Sequence, residues 1–260
     1  MKSENRMPVF FVGHGSPLNA IEKNWITDGW RSISSKLPEP KAILCISAHW
    51  FIDDLQVLNT EIPRTIHDFY GFPQEMYRFE YHAPGSTTLS KTIYRLIKSK
   101  SANFDDTWGL DHGCWVPLSI IFPDANIPVV QLSIDYRLSI EEHYQLGSEL
   151  KSLRDEGVLI IGSGNIVHNL SKIDWLTPDS GASWAVEFNE ISRELILARD
   201  DDRLIDYRTL GETAALSIPT SDHYLPLLYV LGASERTEPV TIINDGCVFG
   251  SVSMTSALIG

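Results

Sequence analysis

Eight histidines occur in the 260 residues, and five of them share a recurrent setting. His14 follows an apolar run in "MPVFFVGHGSP". His49 follows another in "KAILCISAHW", and His168 comes shortly after a third in "GVLIIGSGNIVHNL". His112, in "WGLDHGCWVP", and His223, in "PTSDHYLP", sit in loops that lead into apolar stretches of helical length. A single loop histidine is ordinarily a solvated side chain or a local hydrogen-bonder. Several gathered in one place are poor structural glue, because each has two ring nitrogens to satisfy. Imidazole is the commonest metal ligand and the readiest proton carrier near neutrality. The five together therefore point to a metal site with an acid/base beside it.

The other three histidines carry less. His143 lies within a helical pattern beside Glu141 and Glu142 and is expected on a solvated face. His67 ("IHDFYGF") and His82 ("YHAPG") are expected as loop side chains.

Competing chemistries fit poorly. The three cysteines, Cys45, Cys114 and Cys247, include no CxxC pair, which argues against a thiolate zinc site and fits a reducing compartment. Cys45 lies in an apolar run. Cys114 is two residues from His112, too close for a nucleophile to face its base, and is expected to be buried. "GSGNIV" follows a strand but has Val167 where the third glycine of a dinucleotide loop belongs. "GHGSP" has Gly15 where a nucleophile elbow needs serine. HExxH and Walker loops are absent. What remains is a nitrogen- and oxygen-donor site, which suits Fe(II), Zn(II), Cu or Ni.

The elements that must hold such a site read as alternating strand and helix. Residues 7–12, 41–47, 127–134, 157–163 and 239–244 are short, β-branched runs bounded by Gly, Pro or Asp. Residues 86–100, 139–155, 180–199 and 224–232 read as helices, the second opening on a Ser139–Glu142 capping box. The expected fold class is α/β: a central, mostly parallel sheet flanked by helices, one catalytic domain over residues 1–260. Such sheets bind ligands at the carboxyl edge of their strands, which is where the metal site is expected.

Lys+Arg number 21 against Asp+Glu 34, a net charge of −13. That balance argues against nucleic acid or an anionic membrane as partner. No apolar run approaches the roughly 20 residues that span a bilayer. The N-terminus lacks a signal-like core, and a cytoplasmic location is expected.

The ordered set "GHGSP", "SAHW", "DHGCWVPL", "GSGNIVHNL" and "SDHYLPL", with "DFYGFP" and "APG" between, resembles the class III extradiol ring-cleaving dioxygenases, in particular their DOPA 4,5-dioxygenase-type (LigB-like) branch. The motifs run from residue 13 to residue 228, nearly the whole chain. The resemblance implies one divalent metal, with Fe(II) for activity and Zn(II) plausible in purified protein. It implies His14, His49 and His223 as ligands, His168 as acid/base and possible fourth ligand, and His112 as a substrate contact. The implied substrates are O2 and a catechol such as DOPA or caffeate. His67 departs from the family, which more often has tyrosine before "DFYGFP".

On this reading Trp50, Tyr70, Trp115 and Tyr224, which flank the motifs, are candidates for an aromatic pocket wall. Asp222 and Asp111 are candidates for orienting the adjacent imidazoles. The alternatives are a non-catalytic metal-binding or signalling homologue, or a zinc-dependent hydrolase on the same scaffold. The presence of both non-ligand histidines, His112 and His168, favours the dioxygenase. Nothing in the sequence sets the oligomeric state.

Overall fold

The structure, a computed structural model, describes residues 6–260. The first five residues, part of the N-terminal stretch considered above, lie outside the described residues. Among the described residues, twelve strands occur in chain order: β1 (Val9–Gly13), β2 (Ala42–Ile52), β3 (Gln56–Leu58), β4 (Arg64–Thr65), β5 (Asn103–Asp105), β6 (Gly109–Leu110), β7 (Val129–Asp135), β8 (Val158–Gly164), β9 (Val240–Ile243), β10 (Cys247–Val248), β11 (Val252–Ser253) and β12 (Ser256–Ile259). The α-helices are α1 (Trp25–Ser34), α2 (Thr87–Leu96), α3 (His112–Ile121), α4 (Ile140–Leu150), α5 (Ser183–Ala198), α6 (Asp201–Ile205), α7 (Glu212–Ser217) and α8 (Leu225–Ala233).

Eight strands form one sheet in the order β5-β3-β7-β2-β8-β1-β12-β9. Its centre, β7-β2-β8-β1, is parallel throughout, while β12 and β9 add an antiparallel edge beside β1. The five expected strands are β1, β2, β7, β8 and β9. Every residue of β1, β7 and β8 is buried, as near-continuous apolar runs require of a sheet covered on both faces. β12 has no counterpart in the sequence reading. "SALIG" is too short and too weakly alternating to stand out, and it is held by pairing with β1.

β2 is longer than its apolar run. It continues through His49 to Ile52, with a break in register between Ile46 and Phe51. His49 therefore lies within an irregular strand segment rather than in a loop after it. That break re-aims side chains at the sheet edge, as bulges commonly do.

The helices appear near their expected positions, with α4 ending at Leu150 in a 3-10 segment over Lys151–Glu156. The two faces of β8 show how the layers are assigned. Gly162 and Gly164 face the α8 side, where Pro226 and His223 carbonyls press on them, whereas Ser163 donates to the Gly113 carbonyl of α3. His143 is buried rather than solvated. Its Nδ1 meets the Tyr229 hydroxyl at 3.0 Å between the packed helices α4 and α8. The adjacent Glu141 and Glu142 belong to the capping turn and do not mark the face on which His143 lies. No helix among the described residues is long and apolar enough to cross a membrane.

Candidate metal centre

β8 lies between β1 and β2, in register Gly13↔Gly164 and Ser47↔Ser163, so β1 and β8 finish together beside the point where β2 loses its regular pairing. His14 is the residue after β1, and its backbone N–H donates to the Gly164 carbonyl at 3.2 Å. His49 stands in the broken segment of β2. His112 is the first residue of α3, whose N-cap Asp111 accepts from the Cys114 N–H and from Ser47 Oγ at 2.6 Å. His223 is brought in by its own carbonyl, which accepts from the Asn165 N–H at 2.8 Å.

Two motif glycines make this convergence possible. A Cβ on Gly113 would lie 2.5 Å from Ser47 Oγ and 2.9 Å from His49 Cδ2, and one on Gly164 would lie 2.1 Å from the His223 carbonyl oxygen. Both glycines serve close backbone approach, so "GSGN" holds the His223 loop and not a dinucleotide.

All five predicted histidines meet at this edge. The rings of His14, His49 and His223 form a nearly equilateral triangle, with centroids 5.0, 5.2 and 5.3 Å apart. His112 flanks it at 3.9 Å from His49. His168 flanks the other side, stacked on His223 at 3.4 Å with 10° between planes. The donor atoms fall into two adjoining groups, each within 4.8 Å: His14, His49 and His112 in one, and His168, Asp222 and His223 in the other. The expected ligand set therefore straddles the two groups, because the His223 ring pairs with His168 and is tied by Nδ1 to Asp222.

Hydrogen bonds fix the proton-bearing Nδ1 of His14 and of His223. Ser163 Oγ gives its hydrogen to the Gly113 carbonyl, so at 3.0 Å it accepts from His14 Nδ1–H. His49 Nδ1 faces Asp68 Oδ2 at 3.3 Å, and His223 Nδ1 donates to Asp222. In the neutral His14 ring Nε2 is then left with a bare lone pair. His14 Nε2 and His49 Nε2 point at each other 3.0 Å apart. Burial, followed by the neighbouring imidazoles, pushes both rings' pKa values far below the ordinary histidine value, so both are neutral imidazoles. Two buried imidazole nitrogens converging in this way can both be turned to a cation. Their separation matches neighbouring ligand positions around a metal with bonds of about 2.1 Å. The buried Nδ1 of His112 makes no aligned hydrogen bond, although a carboxylate oxygen of Asp68 lies 3.0 Å away.

Burial, then the His223 charge, lowers His168 to about 3, so it is a neutral imidazole at pH 7. Asp222 is pushed up by burial and pulled down further by its bond to His223, remaining a carboxylate. Cys114 is buried and its thiol is raised well above the ordinary value by that burial, which removes it as a nucleophile.

The sequence reading missed Asp68. Its carboxylate spans two elements: Oδ2 faces His49 Nδ1, while Oδ1 accepts from the His112 backbone N–H at 2.9 Å. His112 Nδ1 lies 3.0 Å from the same Oδ1 but is too poorly aligned to bond. The Asp68 side chain is only 19% exposed, although the residue's backbone lies at the surface. Burial raises its pKa, but the hydrogen bond and charge of His112 outweigh that and leave it below the usual carboxylate range. The signal is the single acid of "DFYGFP". Asp111, the acid adjacent to His112, instead ties Ser47 and Gln131 and touches no histidine ring.

The aromatic candidates lie elsewhere. Trp50 stacks on Trp108, the Trp115 indole donates to the Ile66 carbonyl, and the Tyr224 hydroxyl donates to the Leu204 carbonyl, all three side chains buried in the core. Tyr70 is 92% exposed. The cavity beside the histidines is walled by residues of the 168–171 and 219–223 segments. His67 is half-buried, its Nε2 donating to the Phe79 carbonyl at 2.9 Å.

A family described as the catalytic LigB subunit of aromatic ring-opening dioxygenase matches residues 8–259. The chain belongs to the LigB family. A 4,5-DOPA dioxygenase extradiol from Escherichia coli K12 is 44% identical over 262 residues, covering 99% of this chain and 96% of the relative. One from Beta vulgaris is 39% identical, covering 97% and 98%. The crystal structure of an uncharacterized protein from Escherichia coli K12 superposes with a TM-score of 0.86 at 40% identity, covering 98% of this chain and all of that one. This LigB-family chain is accordingly an extradiol-type, aromatic ring-opening dioxygenase, and the non-catalytic reading gives way to an enzyme. LigB dioxygenases use a divalent metal, and the histidine donors at the sheet edge suit one.

Proposed function

We propose that this dioxygenase opens a catechol ring, inserting both atoms of O2, with Fe(II) held by His14, His49 and His223. The observation that carries the ligand set is the near-equilateral ring triangle of 5.0, 5.2 and 5.3 Å, with Nδ1 of His14 and His223 bonded to Ser163 and Asp222 and that of His49 facing Asp68. Such partners fix the tautomer and orientation of metal-bound imidazoles. When bound, Fe(II) supplies Lewis acidity toward the catechol oxygens and a place for O2. Three neutral ligands leave its charge to be offset by the substrate.

The remaining work falls to the flanking histidines. His168, neutral at pH 7, accepts a catechol proton and returns it as the ring opens. His112, whose ring flanks His49 at 3.9 Å, holds substrate. DOPA-like catechols are the favoured class, since the relatives at 44% and 39% identity carry that name.

Anaerobic Fe(II) loading, followed by a catechol panel with O2 uptake and product absorbance, tests the reading. Uptake with a yellow ring-opened product is expected, and His168→Ala should keep the metal and lose turnover by about 10²–10⁴-fold. An Fe(II)-loaded protein that leaves every catechol intact would overturn it, and unchanged turnover in the variant would remove His168 from the chemistry.

A further inference from the structure

Beside the histidine cluster runs a cleft with two compartments. One, of about 380 Å³, is walled by His168, Asp222 and His223 among others. The other, of about 580 Å³, is lined by Phe51, Tyr207, Arg208, Ile218, Thr220 and Ser221. Pro219 and Thr220 stand in the walls of both, so the two adjoin along the 218–223 loop. Both volumes are within the range of small-molecule sites, roughly 300–1,000 Å³. One end offers imidazoles, and the other offers a guanidinium.

We propose that Arg208 is an anion receptor in the outer compartment, selecting aromatic substrates whose side chain ends in a carboxylate. The inference deepens the dioxygenase reading above and rests on it. Three observations carry it. Arg208 makes no ion pair with any carboxylate among the described residues, whereas the nearby Arg199 and Arg236 are committed to Asp201 and Asp202. Its guanidinium stands 5.8 Å over the Tyr207 ring, which is itself buried against Tyr224 at 4.7 Å. The cation is thus seated on a fixed aromatic surface while its donors stay free. The walls are also mixed in the required way: Phe51 and Ile218 suit an aryl-alkyl stem, and the Thr220 and Ser221 hydroxyls suit an anionic end.

The charge of the whole chain sharpens the need. At −13 the protein repels anions generally, so a carboxylate substrate requires a local positive contact at the cleft. A guanidinium fork pairs with a carboxylate through two parallel hydrogen bonds, a geometry lysine lacks. Because Arg208 is exposed, solvent screens the contact, and the expected effect is about tenfold.

The test compares two catechols with the Fe(II)-loaded full chain: 3-(3,4-dihydroxyphenyl)propionate, which carries the anion, and 4-methylcatechol, which does not. Arg208→Gln should lower the kcat/KM ratio of the first to the second about tenfold, through KM. Arg208→Lys should recover part of that ratio. Equal changes on both substrates, or none on the propionate, would overturn the proposal. If wild type turns over neither catechol, the dioxygenase reading fails instead, and Arg208 is judged by equilibrium binding of the same two compounds. There the proposal stands on a selective loss of propionate affinity in Arg208→Gln and falls without one.

Discussion

Asp68→Asn probes the second carboxylate of the site with a change of one atom. Aspartate presents two acceptors, one to His49 Nδ1 at 3.3 Å and one to the His112 backbone N–H at 2.9 Å. Asparagine keeps one acceptor and replaces the other with a donor. With its oxygen toward His49, its amide faces the His112 N–H. Turned over, its amide faces His49 Nδ1–H, and relief requires the other His49 tautomer, whose Nε2–H no longer offers a lone pair beside His14. Either orientation leaves one shielded donor without a partner, a cost of about 1–3 kcal/mol. Loss of such a partner behind a metal-bound histidine lowers metal affinity about 10–100-fold, or about 1.4–2.7 kcal/mol. Chelator competition with Fe(II) or Zn(II) reads the affinity, and thermal unfolding of the metal-free protein checks the fold. Binding within about threefold of wild type, with the fold intact, would refute both the tautomer assignment and the role of Asp68.

Gly164→Ala places a methyl 2.1 Å from the His223 carbonyl oxygen, so the loop carrying His223 must retreat. A stability loss of about 1–3 kcal/mol in urea titration and a lower metal content are expected, and wild-type metal binding would separate His223 from the centre. His143 makes the fold acid-sensitive in a separate place. Burial lowers it to about 4 in the folded protein, against 6.5 for the ordinary side chain. Between those values the unfolded chain holds more protons, so stability is full above pH 6.5 and falls as pH drops toward 4. At 1.36 kcal/mol per unit the loss amounts to about 3 kcal/mol. His143→Gln retains a polar group for Tyr229 and should flatten the slope of unfolding free energy between pH 7 and 4.5. Equal slopes in the two proteins would refute the assignment.

Much was legible in the order of residues alone. Apolar runs of strand length alternating with helical patterns specify a parallel sheet, because only a doubly covered sheet buries such runs on both faces. The five histidines were legible for the same reason: they lie at or near strand ends and helix entries, and one edge of a parallel sheet gathers those positions. What tertiary structure decided is what each imidazole faces. Ser163 sets the tautomer of His14 from 149 residues away in the chain, and Asp68 faces His49 Nδ1 from 19 residues away. No local pattern encodes that pairing. His143 shows the converse. Its acidic neighbours in sequence suggested solvent, but the packing of α8 on α4 buried it against Tyr229. Trp50, Trp115 and Tyr224 flank the motifs in sequence yet turn into the core, because adjacent residues in strands and helix turns point to different sides. Sequence fixes which side chains arrive at the edge, whereas direction, partner and protonation belong to the folded chain.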